Sequence, residues 1–153
     1  MIKIKKKSNY GRLLSQLELP FLETDFYFLE DIFKNLETKF GLKSNSDQRF
    51  IDLGSGNGSA VIFCALNYNI KSYGIEIDQN LINEAKNRLK VLKKKGTYNR
   101  RLFKRIKFKL GDFFLDNLQD YDFIYIYSFP SMHKFLKHLF NTVKQGSIVI
   151  SHK

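Results

Sequence analysis

The sequence predicts an α/β fold in which helices cover both faces of a parallel sheet. Five short apolar runs alternate with segments of helical periodicity, and a glycine-rich turn followed by a helix joins the first two runs. Strands that alternate with helices pair in parallel through crossover connections. The expected strand order is 3-2-1-4-5, with its switch point between the strand that begins at Phe50 and the strand that begins at Tyr121.

A helix is the first predicted element after a basic N-terminal arm over residues 1–19. Thr24 or Asp25 can cap its start, and Gly41 can end it. A polar loop over residues 43–49 then leads into the first strand. The apolar residues that keep helical spacing along this helix are Leu29, Ile32, Phe33, Leu36 and Phe40.

The stretch from Phe50 to Asp78 carries the central βαβ unit. It begins with an apolar run typical of a buried strand. After a glycine-rich turn come a predicted helix over residues 59–67 and a predicted strand over residues 73–77. In such units a ligand lies at the carboxyl ends of the strands, so this stretch predicts a nucleotide-like ligand at the turn.

The next helix is predicted to begin at a cap formed by Asp78 and to end at Gly96, and residues 97–104 are predicted to form a basic loop. The run over residues 106–110 alternates apolar and polar side chains, which favours a strand at a sheet edge.

The run over residues 121–127 is nearly all apolar, which favours a central strand covered on both faces. A helix from a cap at Ser131 to Gly146 and a last strand over residues 147–151 complete the predicted fold. The buried stripe expected on that last helix consists of Met132, Phe135, Leu136, Leu139, Phe140 and Val143.

The glycine turn places Gly54, Gly56 and Gly58 at alternate positions. Glycine adopts positive φ without a steric penalty and lets a ligand lie against the main chain. Ser59 stands where the dinucleotide pattern G-x-G-x-x-G needs its third glycine. Asp52 would repel a phosphate but suits a cationic group such as a sulfonium. A ligand smaller than a dinucleotide is therefore favoured.

The block D-L-G-S-G-N-G that begins at Asp52, followed by G-I-E-I-D that begins at Gly74, resembles the class I S-adenosylmethionine (SAM) methyltransferases. The alternative is a glycine-rich loop in another α/β protein. The resemblance implies a Rossmann-like methyltransferase fold with SAM as cofactor. Glu76 would bind the ribose hydroxyls, and Asp112 would accept from the exocyclic amine of adenine, unless Asp112 is an ordinary turn aspartate. The implied cofactor-binding residues are Thr24, Asp52, Gly54, Ser55, Gly56, Gly58, Glu76, Ile77, Asp112, Phe113 and Tyr127.

The substrate side resembles a narrower family, the small archaeal protein lysine methyltransferases and their mitochondrial eukaryotic relatives. The resemblance is carried by Tyr127, by Pro130 and Ser131 after it, and by the run V-I-S-H at residues 149–152; the segment over residues 19–24 is similar to the family's N-terminal motif. The family implies methyl transfer to a protein lysine amine in an aromatic slot, which desolvates the amine and holds the cationic product. The predicted catalytic residues are Tyr127, Phe129 and Pro130.

The distribution of charge keeps an RNA methyltransferase as an alternative. Net charge is +11, and twelve Lys or Arg with no acid lie between Lys86 and Lys109. Such a block points to an acidic partner, most often nucleic acid, although a solvated helix face is the plainer explanation. Against RNA, the N/D-P-P-Y/F turn of nucleobase-amine methyltransferases is absent, and Ser128-Phe129-Pro130 stands in its place.

The family's C-terminal antiparallel strand pair is missing after the fifth strand, because the sequence stops at Lys153. An exposed edge strand is therefore expected, where a second copy can pair to form a homodimer. The missing strand pair also leaves a third hypothesis open beside lysine and RNA methylation, namely a non-catalytic SAM-binding subunit.

Length and composition predict a single domain over residues 1–153. One cysteine rules out an internal disulfide and fits a reducing compartment, so a cytoplasmic location is expected. The three histidines form no zinc pattern, and no metal site is predicted. No apolar stretch approaches the ~20 residues of a membrane span, so no membrane association is expected.

Overall fold

The computed structural model describes residues 26–127 and 132–152. Within them a helix, α1, covers 26–39, and a single sheet of five strands follows. The further elements in chain order are β1 Arg49–Leu53, α2 Ser59–Tyr68, β2 Lys71–Glu76, α3 Gln79–Lys95, α4 Arg100–Phe103, β3 Ile106–Leu110, a 3₁₀ turn at Phe113–Leu115, β4 Phe123–Tyr127, α5 His133–Phe140 and β5 Ile148–His152.

All four strand pairs of the sheet are parallel, and the strand order is β3-β2-β1-β4-β5. The predicted fold class and strand order are confirmed. The chain reverses its direction of winding between β1 and β4, where Leu53 pairs with Ile126. All five strands end at the same edge, called here the carboxyl edge, and begin at the opposite amino edge.

Two hydrophobic cores lie on the two faces of the sheet. One contains Phe33 of α1, most of α2 and Phe50 of β1. The other contains Ile51 and Leu53 of β1 together with Leu136 and Leu139 of α5. Side chains of consecutive strand residues point to opposite faces, which is why neighbouring positions of β1 belong to different cores. Helix α2 lies within the first core, where seven of its ten residues are buried.

Local capping sets the ends of α3 as the sequence predicts. The Asp78 carboxylate accepts a hydrogen bond from the Asn80 N–H at 2.8 Å, and Gly96 ends the helix with φ of 69°. Capping of this kind satisfies main-chain donors and acceptors that a helix end leaves unpaired.

Three predictions in this part of the chain are wrong. Residues 97–104 are not simply a loop, because they contain the short helix α4, which is capped by the Asn99 side chain and buries Phe103. Helix α5 ends at Phe140, not at Gly146, and a turn fills the interval before β5. Phe135 is 55% exposed, so it does not belong to the buried stripe of α5.

Several predicted features lie outside the described residues: the basic arm over 1–19, Thr24, Phe129, Pro130 and Ser131. In the part of the chain that is described, no helix has the length and apolarity required to cross a membrane. Strand β5 lies at one edge of the sheet, and pairing of a second copy there stays a prediction, as do the single domain and the cytoplasmic location.

Candidate functional site

The glycine turn after β1 is tied to the neighbouring strand by its own main chain. Gly54, Gly56 and Gly58 all have positive φ, between 54° and 83°, a region that other residues rarely adopt. The N–H groups of Gly54 and Ser55 both donate to the Ile75 carbonyl oxygen at 2.9 Å. The turn is thereby held against the end of β2, close to Glu76.

Glu76 is 1% exposed, and its carboxylate accepts three main-chain hydrogen bonds. Oε1 accepts from the N–H groups of Ile77 at 2.8 Å and Asp78 at 3.0 Å, and Oε2 accepts from Gly56 at 2.9 Å. A carboxylate oxygen can accept two hydrogen bonds, so Oε2 keeps acceptor capacity for one more donor. A ligand hydroxyl is a donor of the required kind.

A cavity of about 310 Å³ opens at this point of the carboxyl edge. Polar acceptors stand at Glu76 and Asp112, and the walls between them are mostly apolar. Such a mixture of apolar walls and a few fixed polar groups is usual for small-molecule sites. The residues that line the cavity are Gly54, Glu76, Ile77, Gly111, Asp112, Phe113, Phe114 and Met132.

Asp112 follows β3 directly and is itself anchored. Its Oδ1 accepts from the Phe114 N–H at 2.9 Å and so caps the 3₁₀ turn. The rings of Phe113 and Phe114 lie 4.6 Å apart between centroids, and Phe113 is buried. Asp112 therefore presents a fixed exposed carboxylate beside an aromatic wall, an arrangement that suits a flat base carrying an amino group.

Two predicted cofactor residues pack beneath the turn and do not line this cavity. A Cβ on Gly58 would lie 2.5 Å from the Phe108 ring, and a Cβ on Gly74 would lie 2.6 Å from the Ser55 hydroxyl oxygen. The missing side chains of Gly58 and Gly74 thus let the turn approach β2 and β3 closely, with Ser55 packed against Gly74. Contact of either residue with the cofactor stays a prediction.

The structure brings five predicted residues together around the cavity, namely Gly54, Glu76, Ile77, Asp112 and Phe113. Asp52 is buried in β1 opposite Gly74, and Tyr127 lies at the end of β4, partly exposed. Gly111, Phe114 and Met132 also line the cavity and were not predicted from the sequence. The run Gly111-Asp112-Phe113-Phe114 was a usable signal for two of them, because the whole turn follows a strand at the ligand edge.

The pKa values of two buried or half-buried groups away from the cavity are raised. Burial raises the pKa of the Cys64 thiol to about 12, and a hydrogen bond with Ser72 opposes this only in part. Burial also raises the pKa of Tyr121, whose ring packs against Tyr73. Within the described residues, no three His, Cys, Asp or Glu side chains are grouped so that they could hold a metal ion.

Comparison with known proteins agrees with this geometry. The family model of the ANTKMT methyltransferase domain matches residues 52–153, which include the glycine turn, Glu76, Asp112 and Tyr127. The chain belongs to the ANTKMT methyltransferase domain family. The predictions of a class I SAM-dependent methyltransferase and of SAM as cofactor are confirmed.

Solved structures of methyltransferases share the fold of this ANTKMT-family chain. An RNA methyltransferase from Salinibacter ruber, solved with S-adenosyl-L-homocysteine, is 28% identical, covers 81% of this chain and 74% of its own, and superposes with a TM-score of 0.64. SAM-dependent methyltransferases from Thiobacillus denitrificans and Geobacter sulfurreducens, also solved with S-adenosyl-L-homocysteine, are 22% and 21% identical and cover 80% of this chain, with TM-scores of 0.60 and 0.62. This chain spans only 46% of the length of each of these two. No curated protein sequence matches it.

Proposed function

We propose that this methyltransferase transfers a methyl group from SAM to the side-chain amine of a lysine in a protein. The observation that carries the proposal is the register of β4 and β5, in which Tyr127 pairs with His152. In the sequence, Tyr127 and the S-H pair at residues 151–152 are separate motifs of the resemblance to the protein lysine methyltransferases. Their meeting at the carboxyl edge, next to the β1–β4 switch point, supports one common acceptor site.

The cofactor is assigned to the cavity at the carboxyl edge. Glu76 Oε2 would accept from a ribose hydroxyl, Asp112 from the adenine amine, and Phe113 and Ile77 would enclose the base. Gly54 leaves the main chain open to the ligand at the end of β1. When bound, SAM supplies an electrophilic methyl group on a sulfonium sulfur.

The acceptor is assigned to the end of β4, where Tyr127 stands one residue beyond the pair formed by Leu53 and Ile126. This position adjoins Gly54, so an acceptor there lies beside the cofactor. A lysine amine has a pKa near ~10.4 in water and must lose its proton before it can attack. Removal from water beside an aromatic ring lowers that pKa, and the ring face also stabilises the cationic product.

Amino-acid analysis of labelled products tests the proposal. The purified protein is incubated with methyl-labelled SAM and a cell lysate, and the label is traced after protease or ribonuclease treatment and acid hydrolysis. We expect label in methylated lysine, and we expect Tyr127→Ala to reduce it by at least about tenfold while S-adenosyl-L-homocysteine binding persists. Label in a methylated nucleoside, or no label despite cofactor binding, contradicts lysine methylation.

RNA methylation is the second candidate, because the Salinibacter ruber neighbour is an RNA methyltransferase. The same experiment separates the two: ribonuclease-sensitive label supports an RNA acceptor, and protease-sensitive label supports a protein acceptor. Cofactor binding without any transferred label supports the hypothesis of a non-catalytic SAM-binding subunit.

A further inference from the structure

We propose that exposed bases at the amino edge of the sheet bind the sugar–phosphate backbone of nucleic acid, on a surface separate from the cofactor cavity. The surface, called here the amino-edge basic cluster, consists of Lys93, Lys94, Lys95, Arg100, Arg101 and Lys104. The inference does not depend on which acceptor is methylated, since it concerns binding that needs no cofactor.

The topology places this cluster far from the cavity. Helix α3 begins directly after β2, at the carboxyl edge, and its 17 residues run back along the sheet for about 25 Å. Its last turn and α4 therefore lie where β2 and β3 begin. The Arg105 carbonyl oxygen accepts from the Ser72 N–H at 2.9 Å, and the Arg105 guanidinium reaches the Ser46 carbonyl oxygen in the loop before β1.

The charges of the cluster are not neutralised locally. All six side chains are exposed, and no acid occurs between Lys86 and Lys109. The described residues contain three ion pairs, and none involves the cluster. Asp47, an acid in the neighbouring loop before β1, pairs with Lys71. Six like charges on two short adjoining elements create a positive potential that attracts a dense polyanion.

The chemistry of the surface favours nucleic acid over a lipid membrane. Between residues 86 and 109, Val91 is the one large apolar side chain that is exposed, so the surface offers little for insertion among acyl chains. Arg100 and Arg101 project from α4, and guanidinium groups bind phosphate oxygens in a bidentate manner. Nucleic acid also carries its charge at a density that acidic protein surfaces do not match, one phosphate per ~1.7 Å of duplex axis.

Contacts within the domain hold the amino-edge basic cluster in a fixed position relative to the rest of the fold. The Lys93 ammonium lies 5.5 Å from the centre of the buried Phe103 ring, which joins the end of α3 to α4. Arg88, earlier in α3, donates to the Ser59 hydroxyl and the Asn57 carbonyl oxygen and so fixes the helix to the glycine turn. A polyanion bound at the amino edge would therefore anchor the whole domain and leave the carboxyl edge open.

Binding measurements with a matched control test the proposal. Fluorescence anisotropy of labelled single-stranded RNA, single-stranded DNA and duplex DNA is followed at several salt concentrations without SAM. The test variant is Lys94→Gln/Lys95→Gln/Arg101→Gln, and the control is Lys34→Gln/Lys134→Gln/Lys137→Gln, which removes the same charge from exposed positions on α1 and α5. S-adenosyl-L-homocysteine binding by both variants reports whether the fold is intact.

We expect the cluster variant to bind single strands at least about tenfold more weakly at low salt. The plot of log association constant against log salt concentration should become shallower by about 2. The control should bind like the unaltered chain, and both variants should keep cofactor affinity. The three probes distinguish RNA from DNA as the source of the backbone. Equal loss of nucleic-acid affinity in both variants, or no binding of any of the three nucleic-acid probes, overturns the proposal.

Discussion

At the carboxyl edge of the sheet one buried carboxylate accepts hydrogen bonds from three main-chain N–H groups, whereas at the amino edge six exposed cations have no acid among them. The first arrangement fixes the position of an acceptor atom and acts only on a ligand that enters the cavity. The second acts over about a Debye length, ~8–10 Å, and tolerates many orientations of a partner. One sheet thus separates a site that requires precise geometry from a surface that requires only charge.

Glu76→Ala should have the largest effect, because it removes the acceptor from the N–H groups of Gly56, Ile77 and Asp78 at once. The buried Gly56 N–H and the partly buried Ile77 and Asp78 N–H groups would lose their partner, and we expect the free energy of unfolding in urea to fall by about 3 kcal/mol. Calorimetry should also give a Kd for S-adenosyl-L-homocysteine at least about tenfold higher. Glu84→Ala, on the exposed side of α3, is the control and should change neither quantity. An unchanged affinity in Glu76→Ala would remove Glu76 from the cofactor site.

A pair of glycine substitutions compares the packing of the two edges directly. Gly58 at the carboxyl edge and Gly96 at the amino edge both have positive φ, but only Gly58 has a ring where a Cβ would stand. Alanine at Gly96 should lower the free energy of unfolding by about 1 kcal/mol through the backbone alone. Alanine at Gly58 adds overpacking and should lower it by about 3 kcal/mol. Equal losses in denaturant titrations would mean that Phe108 moves aside freely.

The buried thiol of Cys64, in α2 beside Ser72 of β2, should make the stability of the fold sensitive to high pH. Because the Cys64 pKa is raised to about 12 in the folded chain, the folded state holds its proton more tightly than the unfolded state, whose thiol has a pKa of 9.0. Its contribution to stability is complete below about pH 9 and is lost as pH rises toward 12, at up to ~1.4 kcal/mol per pH unit. We expect Cys64→Ala to be less stable than the unaltered chain at pH 8, by about 1 kcal/mol. The difference should shrink or reverse by pH 11 in urea titrations, and a difference that does not change with pH would contradict the shift.

The sequence was sufficient for the strand order because its signals were local and agreed with one another. Alternating apolar runs marked the strands, Asp78 and Gly96 marked the ends of α3, and the glycine turn with Glu76 marked the ligand edge. The strand and cap signals depend on main-chain geometry within a few residues, and the glycine turn and Glu76 stand at a spacing typical of one βαβ unit.

Features that depend on tertiary contacts were harder to predict. Helix α4 has only four residues, and three of the eight positions from 97 to 104 are basic. The helix is stabilised by burial of Phe103 against α2 and α3. Phe135 keeps helical spacing with Leu136 and Leu139 yet lies beside Phe114 at the surface. Ser55 belongs to the glycine motif, but its side chain packs toward Gly74. Sequence periodicity cannot show which apolar side chains pack against another element of the fold.

The anchoring of Glu76 has a kinetic consequence. Three main-chain donors hold the carboxylate in place, so the cofactor encounters an acceptor that needs no rearrangement. Association should then be limited by diffusion into the cavity and should show a single phase in stopped-flow traces, while changes at the site alter mainly the residence time of the ligand.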